Sequence, residues 1–237
     1  MEIIKRIIKP FIFSAVLFVG IIWFAQPVSA IWVYEQKFNT LTDGDLNGQD
    51  SWVAGTPFDV QTTTIYEGAK AVQITTTAVV EYEGTRVVTG ITNGDLYVAM
   101  RKDSTSIGQM YSILHEGAAG KMYIRMTTDG NISIFDYNIL GYQTILAYNA
   151  NQWYVVNIQF DDVAQPEKYR ARAHDGTSWT AWSSWYTVQD GAYTQIDKIR
   201  FNWDGTTTAS QSGFWDTITP TDPTLPAATP PQLIWFE

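Results

Sequence analysis

The chain contains no cysteine, which excludes a disulfide framework and every thiolate nucleophile or metal ligand. Histidine is almost as scarce, with two residues. His115-Glu116 is followed by Gly117-Ala118-Ala119-Gly120, so the second histidine of a zinc-binding helix is missing, and His174 has no serine nucleophile pattern beside it. Metal-hydrolase and triad chemistry therefore have no support. Charge is sparse as well, at 16% of residues, and the lysines and arginines are scattered singly in a chain of net charge −9. Without a basic stripe to displace counterions, nucleic acid is excluded as a partner. No window sustains a 3.6-residue hydrophobic period and no segment repeats, which argues against a helical or solenoid protein.

One long apolar run is present, at the N-terminus. Lys5, Arg6 and Lys9 precede apolar residues 11–25, and Val28-Ser29-Ala30 supplies the small residues of a cleavage site. Residues 1–30 are expected to be a signal peptide, and the body to be secreted or held at the cell surface. An uncleaved anchor is the alternative and would be the only membrane contact. Removing Lys5, Arg6, Lys9 and Glu2 from 15 basic and 24 acidic residues leaves 12 and 23, a formal charge of −11. An exported body of about 190 residues without disulfides must be held by its core, which that length allows in one domain.

Aromatic residues make up 14% of the chain, and short alternating runs separated by turn signals account for most of it. In 153–160, Tyr154, Val156, Ile158 and Phe160 share one face of an extended chain, with Asn157 and Gln159 opposite. The runs 169–174 and 196–203 repeat the pattern: Tyr169, Ala171 and Ala173 lie opposite Arg170, Arg172 and His174, and Ile199, Phe201 and Trp203 point inward. Further strands are expected at 32–38, 69–77, 85–91, 96–100, 122–126, 132–135, 142–148 and 213–219. Asn93-Gly94 and Asp129-Gly130-Asn131 predict two hairpin turns, because these residues adopt positive φ. The expectation is all-β, a two-sheet antiparallel β-sandwich of about a dozen strands over 31–219. Five prolines between Pro220 and Pro231 read as a linker, so 220–237 is a Pro-rich linker with an apolar tail.

The order Phe38, Gly44-Asp45-Leu46-Asn47-Gly48-Gln49-Asp50-Ser51-Trp52, Phe58-Asp59-Val60 and Glu67-Gly68-Ala69-Lys70-Ala71-Val72 resembles the opening of laminin G-like, concanavalin A-type jelly-roll domains of exported microbial proteins. Residues 153–158, the run 169–176 and the closing Gly213-Phe214-Trp215-Asp216-Thr217-Ile218 extend the likeness over nearly all of 31–219. That superfamily holds lectins, carbohydrate-binding modules, glycanases, lyases and adhesion domains, so the resemblance implies a fold and leaves function open. Its glucanases carry a Glu-x-Asp-x-x-Glu or Glu-x-Asp-x-Glu strand. Glu81-Tyr82-Glu83 is the nearest match, two carboxylates on one strand face without the middle aspartate or the third acid, and a solvated strand face explains it more simply. Related carbohydrate-binding modules use an early loop and the aspartate of a Phe-x-Asp-x-Ile-like last strand to hold calcium. Here those positions are Asp43, Asp45, Asn47 and Asp216, and the alternative for the loop is a plain Asx-rich turn.

The most unusual stretch is Trp179-Thr180-Ala181-Trp182-Ser183-Ser184-Trp185-Tyr186. Its spacing is similar to thrombospondin type 1 repeats, which need disulfides that this chain cannot form. In an extended strand Trp179 and Trp185 share one face and Trp182 and Tyr186 the other, so one pair is expected in the core and one outside, where indoles stack on sugar rings. The alternative is that all three are buried or shield a sheet edge. The function expected is non-catalytic binding of a glycan or a cell-surface or matrix component, with calcium as a structural ion. A polysaccharide hydrolase or lyase, and a structural cell-envelope domain, are the alternatives.

Overall fold

Strict alternation gives a strand one apolar face, and two sheets can bury such faces against each other. In the computed structural model, which describes residues 32–161 and 165–224, the chain does this with fifteen strands among the described residues and no helix beyond two short 3₁₀ turns. In chain order the strands are β1 (Gly44–Asp45), β2 (Trp52–Ala54), β3 (Phe58–Gln61), β4 (Ala71–Thr76), β5 (Glu81–Ile91), β6 (Gly94–Lys102), β7 (Gln109–Glu116) and β8 (Ala119–Met126). They continue as β9 (Asn131–Asp136), β10 (Gly141–Ala147), β11 (Tyr154–Asp161), β12 (Lys168–His174), β13 (Tyr186–Thr187), β14 (Ile196–Asp204) and β15 (Gln211–Thr219). One sheet has the order β1-β3-β4-β15-β6-β11-β12-β13 and the other β10-β9-β8-β7-β14-β5-β2. Every pairing is antiparallel. The fold is the concanavalin A-like jelly-roll sandwich. Residues 1–30, expected to be a signal peptide, and the tail beyond residue 224 lie outside the described residues.

The expected faces hold. Ile158, Phe160, Ile199 and Phe201 are all buried, as are Tyr169, Ala171, Ala173 and Trp203. The centre of the sandwich is an aromatic stack: the Trp52 ring lies 4.8 Å from Phe201, and Phe201 lies 4.9 Å from Trp215 on the opposite sheet. Phe38 closes this stack from the side.

Two sequence expectations fail. Asn93-Gly94 does not close a hairpin, because β5 belongs to the seven-stranded sheet and β6 to the eight-stranded one. The turn carries the chain from one layer to the other, and Gly94, at φ 149°, leaves room for Trp32, whose Cβ would lie 3.2 Å from a Cβ at that position. The second failure is the strand expected at 32–38, which pairs only through the single bridge Gln36 to Ile218. The other predicted hairpin is present: β8 and β9 pair around Asp129-Gly130.

Candidate functional site

Each sheet has an outer face, and each outer face carries a recess lined by aromatic and polar side chains. On the eight-stranded sheet, alternation along β12 points Arg170 and Arg172 outward. Residues 178–185 run beside that strand and complete its bonding: Thr180 N donates to Ala173 O at 2.8 Å and Ser183 N to Ala171 O at 2.9 Å. The hydroxyls of Thr180 and Ser183 accept from the N–H groups of Ala173 and Ala171, both at 3.1 Å. This places all three tryptophans on one side. Arg172 lies 4.4 Å from the Trp179 ring and 4.5 Å from Trp182, and Arg170 lies 4.4 Å from Trp182 and 4.5 Å from Trp185. The result is a ladder in which indoles and guanidiniums alternate.

The expectation that Trp182 would face away from Trp179 and Trp185 is therefore wrong. The segment is not a two-residue-period strand; a chain with three residues per turn rising about 3.1 Å each advances about 9 Å between successive tryptophans, which is two stacking distances. Each indole is half-buried. Trp182 has two guanidiniums against its ring, more than either neighbouring indole. Trp179 is held by an edge contact with Tyr97 and by its Nε1, which donates to Asp222 at 3.1 Å. Tyr186 packs against the main core. Trp185 lines a recess of about 440 Å³ together with Asp95, Gln159 and Arg170.

The proposed calcium ligands do not converge. Asp43 pairs with Lys70 at 2.8 Å, the Asp45 carboxylate accepts from Asn47 N at 2.9 Å, and the Asn47 carbonyl oxygen accepts from Ala54 N at 3.2 Å. Asp216 is fully buried, and its oxygens accept from Tyr66 N, Glu67 N and Thr217 N at 2.9, 3.0 and 2.7 Å. Its carboxylate fastens residues 66–67 over the sheet. Among the described residues no three acidic or imidazole side chains gather as a metal site, and the oxygens of Asp43, Asp45, Asn47 and Asp216 are engaged by a lysine and by backbone N–H groups.

The seven-stranded sheet carries the recess that sequence reasoning missed. Glu81 and Glu83 do share the outer face of β5, and both pair with Arg200 of β14, at 2.8 and 3.0 Å. Glu81 also accepts a hydrogen bond from the Asn202 amide. Asp204 lies directly opposite Glu81 in the β14–β5 register; burial, and then the Glu81 charge, push its carboxyl above the usual carboxylate range. Tyr111, Tyr123 and Tyr142, from β7, β8 and β10, close a recess of about 300 Å³ with these groups. Burial raises all three phenols, so they remain neutral hydroxyl donors rather than bases. Arg125 stacks on Tyr142 at 3.3 Å and donates to Gln109 at 3.0 Å, which fixes the far wall. The signal available in the sequence was an aromatic residue at an outward position on each of three strands. It was masked on β7, where outward Ile113 and inward Ser112 break the apolar alternation.

No protein-family model matches the chain, and no curated protein matches it. Among solved structures it is similar to a sialidase, at TM-score 0.54 and 11% identity over 73% of this chain and 17% of that one. It is similar also to an apo Crh5 transglycosylase (TM-score 0.50, 12% identity, 80% of this chain and 85% of that one) and to an uncharacterized protein from Mycobacterium paratuberculosis (0.50, 8%, 78% and 98%). The chain thus spans about a sixth of the sialidase. What these proteins share with it is the sandwich.

Proposed function

We propose that this protein binds a glycan in the recess on the outer face of its seven-stranded sheet. One observation carries the reading: three phenol rings and the polar groups of Glu81, Asn202 and Asp204 line the same recess of about 300 Å³. Aromatic rings pack against the apolar faces of sugars, while fixed carboxylates, amides and hydroxyls bond sugar hydroxyls. That two proteins sharing the fold are named a sialidase and a transglycosylase supports the same ligand class. An exported chain would meet its glycan outside the cell, so secretion, the cell-surface or matrix partner and the laminin G-like affiliation belong to this proposal. Binding without catalysis is favoured because Glu81 and Glu83 share one guanidinium, and because phenols raised by burial cannot serve as the base of a lyase.

Titration calorimetry against a panel of oligosaccharides tests the reading. A micromolar to millimolar ligand is expected, lost in Tyr142→Ala while the melting curve stays cooperative. Absence of binding across the panel would remove the glycan reading. A second reading, hydrolysis, rests on Asp204 facing Glu81 with its carboxyl shifted toward the protonated form, the pairing of an acid with a carboxylate that glycoside cleavage uses. Release of new reducing ends from a bound oligosaccharide, abolished in Asp204→Asn, would assign it.

A further inference from the structure

The tryptophan ladder on the opposite sheet ends on an indole beside a recess. At the Trp179 end the series is closed by Tyr97, by His174 at 5.2 Å and by the bond to Asp222. At the other end, Arg170 stacks on Trp185, and among the described residues no second ring or cation is stacked on that indole. Trp182 shows that one indole in this setting accepts two guanidiniums, at 4.4 and 4.5 Å.

One carboxylate of the recess has no cationic partner among the described residues. Asp95 is half-buried, forms no ion pair among the described residues and accepts one hydrogen bond, from the Gln159 amide at 3.3 Å. The other end of that amide, its oxygen, accepts from Arg170 Nε at 2.8 Å. Gln159 therefore orients the carboxylate and holds Arg170 in the ladder, apart from Asp95.

We propose that this recess binds a guanidinium group, that of an arginine side chain on a basic segment of a partner protein. The group would stack on Trp185 as the next rung and direct its N–H fork at the Asp95 carboxylate. A net charge of −9 draws such a segment toward the surface. This site is separate from the glycan recess, which lies across the sandwich on the other sheet.

The test uses the full chain with its tryptophan indole N–H groups resolved by NMR, titrated with N-acetyl-argininamide, with the neutral isostere N-acetyl-citrullinamide and with a neutral hexose oligomer. A saturable shift of the Trp185 indole is expected with the arginine probe, weakened by salt, and about tenfold weaker binding with citrulline. Asp95→Asn, a surface change that leaves the fold in place, is expected to reduce arginine affinity about tenfold, while Tyr142→Ala leaves it unchanged. The proposal is overturned by equal binding of citrulline, by a shift of Trp185 with the hexose oligomer alone, or by no saturable shift with any probe. None of these results bears on the glycan recess.

Discussion

Asp216 fastens residues 66–67 over the sheet through one buried carboxylate. Burial raises its pKa to about 6, against the pull of three backbone N–H donors, so at neutral pH it is ionised and those donors are satisfied. Removing it in Asp216→Ala leaves three N–H groups without acceptors, and a loss of about 3 kcal/mol is expected in urea titrations. Because its oxygens are already occupied, millimolar calcium is expected to leave the melting temperature unchanged; a calcium-dependent rise absent from Asp216→Ala would show that an ion does bind there. Gly213 makes a second demand at this scale. A Cβ at that position would lie 2.5 Å from the Trp203 ring, and both residues belong to the packed interior. Gly213→Ala is therefore expected to cost about 1–3 kcal/mol in the same titration.

At the scale of elements, the ladder both seals and stiffens an edge. β12 would end the eight-stranded sheet with most of its outer backbone groups open, since β13 pairs with it at only two residues, Lys168 and Tyr169. Residues 178–185 satisfy that edge, and the interleaved indoles hold them there. Trp182 is the middle rung with two cation–π contacts, so Trp182→Ala is expected to lower stability by about 2–4 kcal/mol, more than Trp185→Ala, as read from thermal melts of both variants. Strands of this kind were legible in the sequence wherever one face was uniformly apolar, as in β11, β12 and β14. The ladder was not, because a strand template has a period of two and the tryptophans repeat every three. Nor was the layer change at Asn93-Gly94, since a turn dipeptide specifies local φ and carries no information on which sheet receives the next strand. Glu81 and Glu83 were visible as a pair, but their partners Arg200, Asn202 and Asp204 lie more than a hundred residues away in sequence, and only the β14–β5 register brings them together.

For the whole molecule, a sandwich without disulfides depends on its core, and a buried ammonium makes that stability depend on pH in the alkaline range. Lys102 is fully buried near one end of β6, donating to Gly108 O and Thr127 O beneath the Tyr148 and Trp203 rings. Burial lowers its pKa from 10.5 to about 7, with Asp103 and Asp129 opposing the shift. Between those values the unfolded chain binds more protons than the folded one, so stability must rise with pH. Below about pH 7 both states are protonated and the cost of burying the ammonium is present in full; above it the cost is relieved by at most about 1.4 kcal/mol per pH unit. Buried phenols act in the opposite sense at higher pH. Tyr34, for example, is pushed up to about 12 by burial and then by Asp50, so above pH 10 the unfolded chain loses phenolic protons first and stability falls. Urea titrations across the alkaline range are therefore expected to show a stability maximum between about pH 9 and 10. In Lys102→Met the rise between pH 7 and 9 should vanish while the fall above pH 10 remains. A wild-type profile that is flat from pH 7 to 9 would mean that the ammonium stays protonated in the core, held by its two carbonyl acceptors against the cost of burial.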